Sequence, residues 1–217
     1  MKRFTRPLLG FLSPEEVRAL LNAPNPATPA GRRDRVLLHL LYNTGARVSE
    51  ILHLRVEDLS PNGFAVVHLK GKGRKERTVP LWRTTRRLLR QWIVGNGLKP
   101  GQPLLANRFG QALSRSGVAF RLDQAVGLAT PGCPSLRGRT ITPHSFRHST
   151  AMHMLQAGVV PEVIALWLGH ESPATTHLYI EADLTMKEKA LGQIQSPATK
   201  AIRFHPKDDL LRFLESL

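Results

Sequence analysis

Apolar residues recur at helical spacing through the first part of the chain. The pattern predicts a helix from Ser13 to about Asn22, because a serine N-cap, a proline and two acids open it. A proline-rich loop over 23–31 follows. Two further helices are predicted, one over 34–42 and one that begins at residue 46 or 47. The N-terminal part of the chain is therefore predicted to be helical.

The hydrophobic period then changes to that of β-structure. Residues 64–69 and 77–81 alternate as strands do, and Gly71-Lys72-Gly73 supplies turn residues between them. We therefore predict a β-hairpin with a basic tip. Leu54–Leu59 could add a short third strand.

Helical spacing returns in the second half of the chain. The predicted helices cover 83–94, 114–129, 143–157, 161–168, 173–181 and, after a linker over 195–206, 207–217. A loop rich in proline, glycine and arginine covers 130–141. The predicted fold class is mainly α with a small antiparallel β-sheet (α+β).

The charge of the chain points to a polyanionic partner. Its 217 residues include 31 Lys+Arg and 16 Asp+Glu, a formal net charge of +15, and the sequence pI is about 11.2. Residues 70–90 alone carry nine basic side chains and one acid, Glu76. This favours nucleic-acid binding. A solvated basic face, or RNA binding by a ribosome-associated protein, remains an alternative.

The same composition excludes two classes of protein. No apolar run approaches the roughly 20 residues that span a bilayer. The charged N-terminal residues have no long apolar stretch behind them, so we do not expect them to act as a signal peptide. The single Cys133 cannot form an internal disulfide. We expect a cytoplasmic protein rather than a membrane protein or a disulfide scaffold.

Two motifs place arginine near a helix start. Thr142 is a natural N-cap before Pro143, so His144 and Arg147 should share one face where backbone N–H groups already attract an anion. In the second motif, Arg47 should lie in the first turn of a helix, with Glu50 placed to hold its guanidinium. Taken singly, the first motif is equally consistent with a capping arginine and a surface histidine, and the second is better explained as an ordinary Arg–Glu surface pair.

Histidine spacing does not favour a metal. His144 and His148 are four residues apart, but no glutamate follows the first, as a zinc-protease motif requires, and no cysteine pair is near. We therefore predict no metal site.

Two tyrosines are present, and their surroundings differ. Tyr42 lies in an apolar run and is predicted to be core. Tyr179 has polar neighbours and follows Leu168-Gly169-His170 by nine residues. Alone, such a tyrosine is usually a packing residue.

Taken in order, these elements resemble the catalytic domain of the tyrosine recombinases, the phage-integrase and Xer-type family. The resemblance covers about residues 13–190 and extends, more weakly, to integrases of mobile elements. It rests on Thr44-Gly45-Ala46-Arg47-Val48-Ser49-Glu50, Gly71-Lys72-Gly73-Arg74-Lys75-Glu76-Arg77, His144-Ser145-Phe146-Arg147-His148, Leu168-Gly169-His170 and Tyr179.

The resemblance implies site-specific cutting and rejoining of double-stranded DNA through a covalent 3′-phosphotyrosine intermediate, without a metal, nucleotide or other cofactor. Tyr179 would be the nucleophile, and Lys72, which lies between two glycines unlike Lys70, would protonate the leaving 5′ oxygen. The phosphate site would consist of Arg47, His144, Arg147 and His170. Further basic residues that could meet DNA are Arg74, Lys75, Arg77, Arg83, Arg86, Arg87 and Arg90.

The resemblance also suggests a domain organisation and rival functions. Residues 1–12 would be an N-terminal arm, 13–195 the catalytic domain, and 196–217 a linker and a helix exchanged between protomers of a tetramer, with accessory proteins as further partners. The alternative for this helix is packing in cis, as a lid on its own core. The helical DNA-binding domain that usually precedes the catalytic one would be absent, in a compact recombinase or a truncated product. The rivals are relaxation of DNA in the manner of type IB topoisomerases and non-catalytic DNA binding by a regulator.

Overall fold

The structure is a computed structural model that describes residues 10–71 and 76–169 of the 217. Within these ranges the chain forms seven α-helices and one two-stranded antiparallel sheet. In chain order the elements are α1 (Pro14–Asn22), α2 (Pro29–Thr44), α3 (Val48–Leu52), β1 (Val66–Lys70), β2 (Glu76–Pro80), α4 (Arg83–Gly95), α5 (Arg115–Ala129), α6 (Pro143–Gln156) and α7 (Pro161–Leu168). No described helix is long and apolar enough to cross a membrane.

Helix starts follow the capping residues of the sequence. Ser13 caps α1, and its hydroxyl accepts the Glu16 N–H while the Glu16 carboxylate accepts the Ser13 N–H. Helix α2 begins at Pro29, five residues before the predicted start, because the Thr28 hydroxyl accepts the Gly31 N–H and caps it. The prediction of a loop up to residue 31 is therefore wrong at its end.

The β-hairpin is confirmed, and the third strand is not. In the hairpin Val67 pairs with Val79, and both side chains are buried. The predicted strand Leu54–Leu59 instead holds a short 3-10 helix, Val56–Asp58, in which an Asp58 carboxylate oxygen accepts the Arg55 N–H. Leu59 makes only an isolated bridge to Val67. Side-chain capping by Asp58 thus overrides the apolar spacing of this segment.

Helix α2 forms the centre of the hydrophobic core. Its buried residues include Val36, Leu37, Leu40 and Leu41, and α4 and α6 pack against it. Phe146 of α6 is also fully buried. Because α2 is enclosed on several sides, its C-terminal end is held firmly, and that end supports the candidate site.

Candidate functional site

The C-terminal end of α2 is the point where the candidate site is assembled. An α-helix leaves its last carbonyl groups without intrahelical partners. Here three of them accept hydrogen bonds from side chains of α6 and α7: the carbonyl of Tyr42 from Thr150, that of Asn43 from Trp167, and that of Gly45 from Arg147. The distances are 2.7, 3.2 and 2.7 Å. These bonds fix α6 and α7 against the end of α2.

Gly45 makes this close assembly possible. It ends α2 in the left-handed conformation, with φ of 57°. A Cβ at this position would lie 2.3 Å from a methyl carbon of Leu168 at the end of α7. Only glycine therefore fits both the backbone conformation and the space.

Arg147 joins the assembly from the start of α6. Thr142 caps α6 as predicted, and its hydroxyl accepts the Ser145 N–H. Arg147 is 5% exposed, and its Nη1 donates to the Gly45 carbonyl at 2.7 Å. His144, in the first turn of the same helix, is exposed. The buried Arg147 guanidinium therefore binds Gly45, which lies two residues before Arg47 in the chain.

Arg47 lies at the N-cap of α3 rather than inside its first turn, which corrects the sequence prediction. Its N–H donates to a Glu50 carboxylate oxygen at 2.7 Å. Its side chain is 43% exposed, with Nη1 3.6 Å from the other Glu50 oxygen and Nη2 3.4 Å from the Gly169 carbonyl. The end of α7, immediately before His170, thus lies beside this arginine.

Glu50 is held chiefly by Arg77 and not, as the sequence suggested, by the Arg47 guanidinium. The Arg77 guanidinium donates to both Glu50 oxygens, at 2.6 and 3.0 Å, and its Nε donates to the Trp167 carbonyl at 2.9 Å. Burial by itself raises the pKa of the Glu50 carboxyl. The bonds and charge of Arg77, with the Arg47 N–H, outweigh burial, so this pKa is lowered and the group is a carboxylate at neutral pH.

Arg77, one of the basic residues considered for contact with DNA, is instead occupied inside the protein. Its side chain is 12% exposed and turns inward to Glu50 and α7. Lys70, on the same hairpin, binds Asp58 at 2.9 Å, and this hydrogen bond raises the pKa of the Lys70 ammonium. The Arg77 guanidinium is thus enclosed, whereas the Lys70 side chain is exposed but paired with Asp58.

Tyr42 is half-buried and packs against the core, as predicted. Its hydroxyl is 2.7 Å from Nδ1 of His153, and burial raises the pKa of the phenol. A raised pKa lowers the phenolate fraction, so this tyrosine is poorly suited to act as a nucleophile. In the described ranges no cluster of His, Cys, Asp and Glu could hold a metal.

Comparison with known proteins places this arrangement in a family. A model of the phage integrase family matches residues 10–186. The chain belongs to the phage integrase family. This member is 45% identical over 216 residues to the putative integrase/recombinase y4rC of Sinorhizobium fredii. The matched region is 100% of this chain and 65% of that relative. It is 35% identical over 213 residues to the tyrosine recombinase XerD of Staphylococcus epidermidis. Here the matched region is 94% of this chain and 65% of that relative.

The fold is likewise that of a solved member of the group. A crystal structure of the XerH site-specific recombinase bound to palindromic difH substrate, a post-cleavage complex, matches with a TM-score of 0.72. The identity is 28% over 85% of this chain and 53% of that one. The mainly helical fold with one small antiparallel sheet is thereby confirmed. The integrase-family chain spans just under two thirds of the length of the two curated relatives.

Within this family member the structure brings together some of the predicted site residues. Arg147 binds the turn that leads to Arg47, and His144 lies one helical turn before Arg147. Lys72, His170 and Tyr179 lie outside the described residues, as do the predicted helices 173–181 and 207–217. The sequence reasoning missed Arg77 as a partner of Glu50. No sequence signal links the two residues, which are 27 positions apart on different elements.

Proposed function

We propose that this chain is the catalytic part of a site-specific DNA recombinase. The observation that carries the proposal is that Arg147 binds the carbonyl of Gly45, two residues before Arg47, where α2 ends. Two arginines held beside one turn can supply the N–H donors that bind a phosphodiester. The family membership supports the same function.

In the proposed reaction the Tyr179 hydroxyl attacks the scissile phosphorus. A bond forms from the phenolic oxygen to phosphorus, the bond to the 5′ oxygen breaks, and a 3′-phosphotyrosine and a 5′ hydroxyl result. The phenolic proton passes to a base such as His144 or His170, and Lys72 donates a proton to the leaving oxygen. A second attack by a 5′ hydroxyl reverses each step and rejoins DNA.

The cationic site is needed because free tyrosine is a weak nucleophile. With a pKa of about 10, roughly one phenol in a thousand is ionised at pH 7. Arg47 and Arg147 would stabilise both the phenolate and the charge on the phosphate oxygens during transfer, and one preorganised donor contributes about 10²–10³ in rate. Exchange of one phosphodiester for another is nearly isoenergetic, so the proposed reaction consumes no nucleotide.

A second basic surface would support binding of the DNA backbone. A groove of about 760 Å³ is lined by four arginines of α4 that recur at helical spacing, together with Gly63: Arg83, Arg86, Arg87 and Arg90. None of the four forms an ion pair with another described residue. Such a stripe provides the sequence-independent part of DNA affinity. We further propose that protomers assemble on the DNA through residues 207–217, and that the protein acts in the cytoplasm.

The proposal is tested by trapping DNA on the protein. The chain is incubated with a library of nicked duplexes, covalent complexes are isolated in denaturing detergent, and the attached DNA is sequenced. We expect one enriched sequence joined through a 3′ phosphate. Relaxation of plasmids without any site preference, or no covalent complex at all, would contradict the proposed function.

A further inference from the structure

Glu50 lies between two arginines that compete for it. Its carboxylate is 1% exposed, so its charge acts on its neighbours with little screening by solvent. Arg77 holds both oxygens at 2.6 and 3.0 Å, whereas the Arg47 guanidinium approaches to 3.6 Å. The carboxylate is therefore bound by the buried arginine of the hairpin, and the more exposed Arg47 side chain makes only a long contact with it.

Arg77 also holds the end of α7. Its Nε donates to the Trp167 carbonyl at 2.9 Å, and a Cβ on Gly169 would lie 3.1 Å from its guanidinium. The Gly169 carbonyl in turn lies 3.4 Å from Nη2 of Arg47. The Arg77 side chain of β2 thus holds in place both groups that flank Arg47, namely Glu50 and the end of α7.

We propose that Arg77 is a positioning residue for phosphate binding, acting through Glu50. By satisfying the buried carboxylate it leaves the Arg47 guanidinium available for the scissile phosphate. Without Arg77, the Glu50 carboxylate would draw Arg47 onto itself, and the site would lose one positive charge. This inference rests on the proposed function, because it assigns Arg47 to the phosphate.

The test compares cleavage of two substrates by the full chain. One is the nicked duplex recovered by the trapping experiment. The other is the same duplex with a methylphosphonate at the scissile position, where a neutral methyl group replaces a charged oxygen. A site that has lost positive charge should cleave the phosphodiester much more slowly but the methylphosphonate only slightly more slowly, because the neutral linkage needs less charge compensation. A merely structural defect would slow both reactions equally.

We expect Arg77→Met to slow single-turnover cleavage of the phosphodiester about 100-fold, the scale of one lost electrostatic contact. On the methylphosphonate the same variant should lose less than about 5-fold, because little charge develops there for Arg47 to meet. A matched control is Arg33→Met, which breaks another buried pair, Arg33–Asp34 at 2.7 Å, away from Arg47. This control should change the two rates by the same factor.

Removal of Arg77 alone leaves the buried Glu50 charge unpaired, which can unfold the protein. A second variant therefore tests the inference without an unpaired buried charge. Arg77→Met with Glu50→Gln removes both charges, which is often tolerated, and the glutamine oxygen can still accept the Arg47 N–H. We expect the double variant to cleave the phosphodiester within about 10-fold of the unaltered protein, since the competing carboxylate is gone.

Three results would overturn the inference. The first is that Arg77→Met slows cleavage of both substrates equally. The second is that the folded double variant cleaves the phosphodiester no faster than Arg77→Met, and the third is that its cleavage rate falls by more than about 100-fold. Failure of the unaltered chain to cleave any recovered duplex would instead overturn the proposed function, and the role of Arg77 with it. Circular dichroism of every variant shows which of them are folded.

Discussion

Gly45→Ala tests the packing that supports the candidate site. The substitution places a methyl group at a residue with φ of 57° and 2.3 Å from a Leu168 methyl carbon. The left-handed conformation costs a residue with a side chain about 1–2 kcal/mol, and overpacking adds about 1–3 kcal/mol. We therefore expect a loss of roughly 2–5 kcal/mol in the free energy of unfolding.

Two other glycines separate these contributions. Gly97 has φ of 59° but nothing within 4 Å of a built Cβ, so Gly97→Ala should cost only the conformational part, about 1–2 kcal/mol. Gly127 lies within α5, where a Cβ also meets nothing within 4 Å. Gly127→Ala should stabilise the chain by about 0.5–1 kcal/mol, because alanine is the better helix former.

Urea unfolding of the three variants measures these differences. In a chain of this size, 1 kcal/mol shifts Tm by about 2–4 °C, so thermal unfolding should rank the variants in the same order. A second comparison uses Leu168→Ala, which removes the clashing methyl groups. Gly45→Ala should cost about 1–3 kcal/mol less in that background. Equal losses for Gly45→Ala and Gly97→Ala, or no coupling to Leu168, would refute the reasoning.

Three further predictions concern DNA. Lys72→Ala should regain cleavage on a substrate with sulfur as the 5′ bridging atom, a leaving group that needs no acid; rescue of Lys70→Ala instead would move the role to Lys70, which binds Asp58. If about six phosphates are neutralised, log affinity should fall with log salt at a slope of roughly −5, and a slope shallower than about −2 would mean that the α4 arginines are merely solvated. Deletion of 207–217 should spare single-site cleavage but impair synapsis by light scattering, and equal loss of both would contradict exchange of this helix between protomers.

Local signals in the sequence predict the helices and the hairpin well. Helix α1 starts where Ser13 and Glu16 can cap each other, and α6 starts after Thr142, because both caps depend only on residues three positions apart. The possible strand over Leu54–Leu59 is absent because, although the apolar spacing suits a strand, the Asp58 side chain accepts the backbone N–H of Arg55 and stabilises a short 3-10 helix. Periodicity does not register such side-chain bonds.

The candidate site was predictable in its residue types but not in its pairings. Arg47 and Arg147 stand out as arginines near helix starts, and the structure places them around one turn. The bond between Arg77 and Glu50 joins residues 27 positions apart on different elements. Charge pattern alone left open whether Arg77 faces DNA, since a basic hairpin looks the same whether its side chains turn outward or inward. Only the packing of β2 against α7 decides between these orientations.

The central claim is that the chain forms a covalent bond to DNA through Tyr179. The most direct measurement is formation of a detergent-stable protein–DNA complex on the recovered nicked duplex by the unaltered chain, by Tyr179→Phe and by Tyr42→Phe. Tyr42 is the matched control, because its hydroxyl is 2.7 Å from His153 and burial raises its pKa. We expect a covalent complex with the unaltered chain and with Tyr42→Phe, and none with Tyr179→Phe, which should still bind the duplex. A covalent complex formed by Tyr179→Phe would contradict the claim.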